Sequence, residues 1–260
     1  RGVRQARDPK RPRPLPEIIL AAEHYNRVHR IVEEFKEPAR MEVEVRTEFY
    51  DKDRRGYNVV GEIRGTDKAD EVVMLGGHID SWSPGTGAAD DAAGCAVSLE
   101  AVRILKALGI RPRRTIRVVL WSAEEKGWVG SKAYVEKHFG DTTTMTLKPE
   151  HAKVSGYFNY DNGSGRIRGI YAQSNAALKP VFEAWLEPFR DLGATEVVMR
   201  DTGGSDHGAL DYIGLPAFQF IQDPLDYGTR VHHTNMDVFD HVSVEDLMQA
   251  SVVMAAFVHN

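Results

Sequence analysis

The sequence lacks the features that would place it in several large classes. It holds one cysteine, Cys95, in 260 residues, which excludes an intrachain disulfide. No apolar run approaches the ~20 residues that cross a bilayer as a helix, so no membrane span is expected. Neither sign of charge dominates. The 33 Lys and Arg residues stand against 38 Asp and Glu, a formal net charge of −5. That balance gives no electrostatic case for nucleic acid or for an anionic membrane surface. Internal repeats are absent, and residues 1–16 are the one compositionally biased tract. An initiating Met and a signal peptide are absent too, so the chain is expected to be a processed or trimmed product.

What is present reads as one α/β domain over residues 17–260 behind a tail. Residues 1–16 (RGVRQARDPKRPRPLP) are basic and proline-rich, which denies them both a helix and a core and marks a linker or tail. From Glu17 to about Glu37 apolar residues recur at helical spacing, and Pro38 ends the pattern. Met41 to Tyr50 alternates strictly, as a half-exposed strand does, and Tyr57 to Arg64 is expected to pair with it across a polar turn. Further strands are predicted at Val72–His78, Thr115–Ser122, Val154–Tyr160, Ile167–Tyr171, Glu196–Met199 and Ala217–Ile221. The run TIRVVLWS is almost unbroken, as in a strand covered on both faces. Helices are predicted from Asp91 to about Leu108, stopped by Gly109, then over Gly127–Phe139 and Asn175–Asp191. A last helix starts at Val244, where Ser243 and Asp246 have the spacing of a capping box.

The stretch Val72–Asp80 (VVMLGGHID) organises the chain. A buried strand ends in two glycines and then presents His78 and Asp80. This spacing suits a metal ligand and the group that orients it, since a ligating imidazole usually hands its other ring N–H to an acceptor. Acidic or imidazole groups recur at later strand ends as Glu124-Glu125, Asp161 and His232-His233, and Asp90-Asp91 lies in the loop after the first strand end. Each has an ordinary reading by itself. Asp90-Asp91 could cap a helix, Glu124-Glu125 could open one, Asp161 before Asn162-Gly163 could make a turn, and the His pair could be a loop. Gathered on one sheet edge, so many carboxylates cannot all stay ionised without a cation between them. A divalent metal with His and carboxylate ligands resolves this. Two metals fit better than one, because two imidazoles, three carboxylates and a hydroxide would neutralise two Zn²⁺ ions.

In this order, the segments GGHIDSW, GAADDAAG, LWSAEEKGWVGS, YD, SDH and HHTNMD resemble the co-catalytic zinc exopeptidases. That family includes bacterial leucyl aminopeptidase and glutamate carboxypeptidase, and the likeness is nearest to its carboxypeptidase Q-like branch. It covers roughly residues 40–260. The resemblance implies a three-layer α/β/α fold around a central mixed, mostly parallel β-sheet. It also implies two zinc ions per chain, one on His78, Asp90 and Asp161, the other on Asp90, Glu125 and His233, with Asp90 bridging. Asp80 would orient His78, Glu124 would be the general base on a water between the metals, and His232 would polarise the scissile carbonyl. Ser205-Asp206-His207 resembles the substrate-pocket loop, and the Asp90–Asp91 peptide is expected to be cis. Members of the branch carry a protease-associated domain ahead of the catalytic one, of which the tail would be the remnant.

The expected reaction is hydrolysis of the N-terminal peptide bond of short peptides or dipeptides. Asp161, Asp206 and Glu124 would receive the substrate ammonium. A carboxypeptidase is the alternative, with Arg200, Arg230 and Tyr227 as the groups able to grip a terminal carboxylate. A glutaminyl cyclase-like zinc transferase and a metal-free binding module are the remaining readings, and bound metal count separates them. The expected partner is a short peptide, with neither nucleic acid nor a membrane, and homo-oligomerisation is compatible with the reading. An extracellular or periplasmic location follows from the resemblance, not from any signal in this chain.

Overall fold

A computed structural model describes residues 18, 20–44, 46, 52–53, 55–82 and 85–260. The chain divides into two units, one ending at Arg55 and the other running from Gly56 to Asn260. The main unit therefore starts later than the boundary expected at residue 17, and the tail at 1–16 lies outside the described residues.

In the first unit, helix α1 (Ala22–His29) runs on through a wider turn at Arg30–Glu34, and none of its residues is buried. It is shorter than the predicted helix from Glu17 to Glu37. The strand expected over Met41–Tyr50 is not formed by its described members, residues 41–44 and 46. The rest of that stretch lies outside the described residues. The residues next to the turn that were expected to pair with the following strand, 47–50, lie outside the described residues, and strand β1 (Val59–Ile63) is antiparallel to β3 (Arg114–Trp121). Alternation shows that a strand would have one apolar face, but it does not say which edge the strand will find.

The second unit continues with β2 (Lys68–His78), α2 (Ala93–Ala107), β3 and α3 (Val129–His138). A two-residue ribbon follows, β4 (Gly140–Asp141) with β5 (Thr146–Leu147), and then β6 (Val154–Asn159) and β7 (Ile167–Tyr171). The remaining elements are α4 (Lys179–Leu186), β8 (Glu196–Val198), α5 (His207–Asp211), β9 (Ala217–Gln222) and α6 (Val244–His259). Seven strands form one sheet in the order β1-β3-β2-β6-β9-β7-β8. Neighbours run parallel except at β1–β3 and β7–β9, so the sheet is mixed and mostly parallel, as expected.

Side-chain alternation along the strands builds a core on each face of the sheet. Leu75, Val118, Leu120 and Phe158 pack with Val97 and Leu105 of α2, Phe182 of α4 and Phe257 of α6. Met74, Val119, Trp121 and Tyr157 point the other way, toward Val135 of α3 and Leu210 of α5. Two-sided burial is the reason the central strands read as continuous apolar runs. The helix predicted over Asn175–Asp191 is broken into α4 with a 3₁₀ turn at each end. Pro188 explains the second break, because it has no N–H to continue the α ladder. Ser243 caps α6 by accepting from the Asp246 N–H at 3.3 Å. The Asp246 carboxylate does not complete a capping box, because it accepts from Arg166 Nε at 2.8 Å.

The topology also locates the crevice. From β2 the chain crosses through α2 to β3 on one side, while β6 lies against β2 on the other. Direction reverses beside β2, and such switch points open a cleft at the carboxyl ends of the strands.

The ring of Phe158 lies 5.7–6.3 Å from those of Phe182, Phe218, Phe220 and Phe257. Phe158→Ala is expected to destabilise the fold by about 3–5 kcal/mol, a typical loss for a buried aromatic truncated to alanine. Equilibrium denaturant unfolding measures it.

Candidate active site

Strand β2 delivers His78 to the crevice, and the two glycines before it are needed for close approach. A Cβ at Gly76 would collide with the Val119 carbonyl of β3, and one at Gly77 with the Asp91 carboxylate. Gly94 leaves room for the same carboxylate from the α2 side. Asp91 fills this space as an acceptor. Its Oδ2 takes the His78 backbone N–H at 3.0 Å and its Oδ1 the Gly94 N–H at 3.0 Å. The Asp90–Asp91 peptide bond is cis, as expected. From the opposite side, the Asp237 carboxylate accepts from Ala89 N at 2.7 Å and Asp90 N at 3.2 Å. Asp91 and Asp237 were given no place in the site by the sequence. The available signal was a buried, sharply turned backbone whose N–H groups need acceptors.

The expected ligands converge here. His78 Nε2 lies 3.2 Å from Asp90 Oδ1 and 3.6 Å from Asp161 Oδ1. His233 Nε2 lies 3.1 Å from Glu125 Oε2 and 3.6 Å from Asp90 Oδ2. His232 also faces Asp90, at 3.9 Å, but it is the more exposed of the pair. Asp80 faces the His78 ring chiefly through its backbone. Its backbone carbonyl accepts from His78 Nδ1 at 2.8 Å, while its carboxylate accepts from the N–H groups of Glu124 at 2.9 Å and Glu125 at 3.2 Å. One residue thereby fixes both the imidazole of β2 and the acidic pair after β3.

Crowding perturbs these groups strongly. Burial opposes protonation of His78, yet the charge of Asp161 and hydrogen bonds to Asp161, Asp80 and Asp90 hold its pKa far above the usual range. Burial first, and then the Asp161 charge, pushes the Glu124 carboxyl up to about 9. The same two causes raise Asp91. His232 is lowered, by burial and by His233 beside it.

The residues expected to read substrate are less gathered. Asp206 directly precedes α5 without capping it by its side chain, is fully buried, and accepts a short hydrogen bond from the Ser131 hydroxyl of α3. It therefore stands behind the site and not at its open side. Burial pushes its carboxyl up to about 7. The Tyr227 ring lies 4.8 Å from that of His232, and burial together with Asp161 and Asp90 raises its hydroxyl pKa. Arg230 is exposed and has no ion pair among the described residues. Arg200 is held elsewhere, with Nη2 donating to the Tyr171 hydroxyl at 3.1 Å. A cavity of about 350 Å³ lined by Arg64, Asp70, Arg117 and Lys153 opens at the opposite ends of β2 and β3 and contains none of these groups.

The donor set fits zinc. Ligand atoms at about 2.0–2.1 Å from a tetrahedral zinc stand about 3.3 Å from one another, and the His–carboxylate separations scatter around that value. Two potential ligand atoms facing inward, His78 Nε2 and Asp90 Oδ2, are buried and have no hydrogen-bond partner of good geometry among the described residues. Three overlapping groups meet ligand spacing: His78, Asp90 and Asp161; Asp90, His232 and His233; and His78, Glu124 and Glu125.

The chain is similar to known proteins. The family model of peptidase family M28 matches residues 58–258. Carboxypeptidase Q of Rattus norvegicus is 32% identical over 203 residues, which are 78% of this chain and 41% of that protein. The crystal structure of a peptidase M28 precursor from Shewanella amazonensis SB2B is 36% identical with a TM-score of 0.70, covering 80% of this chain and 46% of that one. A zinc aminopeptidase from Bacillus subtilis, BSAP, is 25% identical with a TM-score of 0.60, covering 76% and 48%. The chain thus spans less than half the length of each of these relatives.

Asp237→Ala is expected to weaken zinc binding by about 10–100-fold, the usual effect of losing a group that orients a ligand. It also leaves two buried N–H groups without acceptors, a loss of about 1–3 kcal/mol each. Asp237→Asn, which keeps one acceptor oxygen, falls between. Zinc titration of the metal-stripped chain, with thermal unfolding beside it, separates the two effects. Unchanged zinc affinity in Asp237→Ala would mean that the clamp does not position Asp90.

Proposed function

The chain belongs to peptidase family M28, and on that premise we propose that it is a two-zinc exopeptidase that releases the N-terminal residue of short peptides. The observation that carries this reading is the convergence of His78, Asp90, Asp161, Glu125 and His233 beside the buried Glu124, with inward ligand atoms lacking a hydrogen-bond partner of good geometry among the described residues. His78, Asp90 and Asp161 would hold one zinc. Asp90, Glu125 and His233 would hold the other. The 3.1 Å approach of His233 to Glu125 supports His233 over His232 as the ligand. When bound, the zinc ions would lower the pKa of a water towards neutrality and polarise the scissile carbonyl.

The protein's own groups do the rest. Cations held in the site would offset the burial and carboxylate repulsion that raise Glu124. Its ionised carboxylate oxygen then takes a proton from the attacking water as the water oxygen bonds to the carbonyl carbon. It then delivers that proton to the departing amine nitrogen as the C–N bond breaks. His232 donates from its ring N–H to the developing oxyanion, where a preoriented donor contributes most. Asp80 holds His78, Glu124 and Glu125 in register through its three contacts.

Two points support the amino end. The site is dominated by carboxylates, and Asp161 and Glu124 offer acceptors to an ammonium group. Of the cations able to grip a carboxylate, Arg200 is engaged by Tyr171, which leaves Arg230 as the candidate from the late loops. The resemblance to the carboxypeptidase Q-like branch supports an extracellular or periplasmic setting.

Glu124→Gln is expected to lower kcat by about 10²–10⁴-fold with zinc content unchanged, whereas Glu125→Ala loses zinc from one position. Metal analysis with steady-state kinetics tests both, and the opposite pattern would exchange the two roles. Dipeptides blocked at one end test direction. C-amidated peptides should be cleaved and N-acetylated ones refused. Cleavage of N-acetylated peptides with refusal of C-amidated ones would make the protein a carboxypeptidase and Arg230 its carboxylate grip.

A further inference from the structure

We infer that Trp82 is a positioning residue for His233, holding the imidazole by stacking where a hydrogen bond holds His78. The inference rests on the zinc exopeptidase reading and adds a residue to which that reading gives no part. His78 leaves β2 on a rigid strand end, and its Nδ1 is fixed by the Asp80 carbonyl. His233 comes from a loop. Its side chain is about one-third exposed, and its backbone φ of +59° lies in the left-handed region that non-glycine residues seldom adopt. Such a residue keeps its orientation only where its surroundings impose it.

Trp82 supplies that surrounding. Its ring is stacked on His233 with centroids 5.0 Å apart and planes 30° from parallel. The Lys126 ammonium lies 4.9 Å from the centroid of the Trp82 ring, a cation–π approach that holds the indole in turn. His232 lies against His233 at 3.7 Å, and Tyr227 against His232 at 4.8 Å. The indole Nε1 is buried and has no acceptor among the described residues, and the contacts that hold the ring there are made through its faces. Lys126 directly follows Glu125, and Trp82 lies two residues after Asp80. The stack therefore ties the His233 loop to the two segments that carry the other side of the site.

The test uses the 260-residue chain, stripped of metal and titrated with zinc against a competing chelator. Trp82→Ala should weaken one of the two zinc steps by about 10–100-fold and leave the other in place. Trp82→Phe, which keeps an aromatic face, should stay close to the unsubstituted protein. Trp82→Leu keeps apolar bulk without stacking and should behave like Trp82→Ala, and it decides the matter should the alanine variant melt early without metal. Raising free zinc should restore kcat to the alanine or leucine variant with KM unchanged. Normal zinc steps with a raised KM would make Trp82 a wall of the substrate pocket and overturn the inference. So would a Phe variant as weak as the Ala variant. An unsubstituted chain that takes up zinc and cleaves peptides while Trp82→Ala matches it removes this inference alone. An unsubstituted chain that takes up no zinc removes the exopeptidase reading and this inference with it.

Discussion

The turn that carries Asp90 depends on two buried carboxylates that would never touch a metal. Asp91 binds the end of β2 to the start of α2, and Asp237 reaches the same turn from the far end of the sequence. Between them they bond the backbone N–H groups of His78, Ala89, Asp90 and Gly94. Each bond is a carboxylate accepting from an amide, stronger than a neutral pair and out of reach of water. Four fixed amides leave the Asp90 side chain little freedom. Its carboxylate faces His78 at 3.2 Å, His233 at 3.6 Å and His232 at 3.9 Å, so the geometry of the whole cluster is referred to it.

The sheet explains why so much negative charge can be gathered at all. β2, β3 and β6 are adjacent and parallel, and their ends bring His78, Glu124-Glu125 and Asp161 together without any long loop. Backbone donors and the surrounding core hold the acidic groups where solvent cannot separate them. The strain appears electrostatically, in Glu124 and Asp91 carboxyls raised by burial and by Asp161. Cations between the groups would relieve this repulsion, and the fold brings together the donor atoms that such cations need.

How much could be read in the sequence followed how local the cause was. β3 was legible because two-sided burial writes an unbroken apolar run, and α2 because its stripe and Gly109 mark both face and end. The residues proposed as ligands stood out because strand ends announce themselves by polarity. Met41–Tyr50 misled, since alternation reports a face and not a partner. α5 was missed because five residues are too few to show a period. Asp206 looked like a pocket residue, but Ser131, 75 positions earlier, covers it. Asp237 and Trp82 lie within the segments HHTNMD and GGHIDSW that carry the resemblance, yet the part each plays was silent for the same reason. Their work is done on side chains or amides about 150 positions away, and nothing in their own neighbourhood reports it.

The two halves of the cluster are built on different principles. The half made by His78, Asp90 and Asp161 is buried, comes from strand ends and their first turns, and is braced by backbone hydrogen bonds. The half made by Glu125 and His233 joins a buried carboxylate to a partly exposed imidazole on a loop. The residues on strand ends and their first turns, His78, Asp90, Asp91, Glu124 and Asp161, are buried. The loop bearing Tyr227, Arg230, His232 and His233 is the side left open. There a hydrogen-bonded brace would compete with water, whereas stacked rings exclude it. An imidazole set between Trp82 and His232 can remain oriented while one edge of the site stays accessible to substrate.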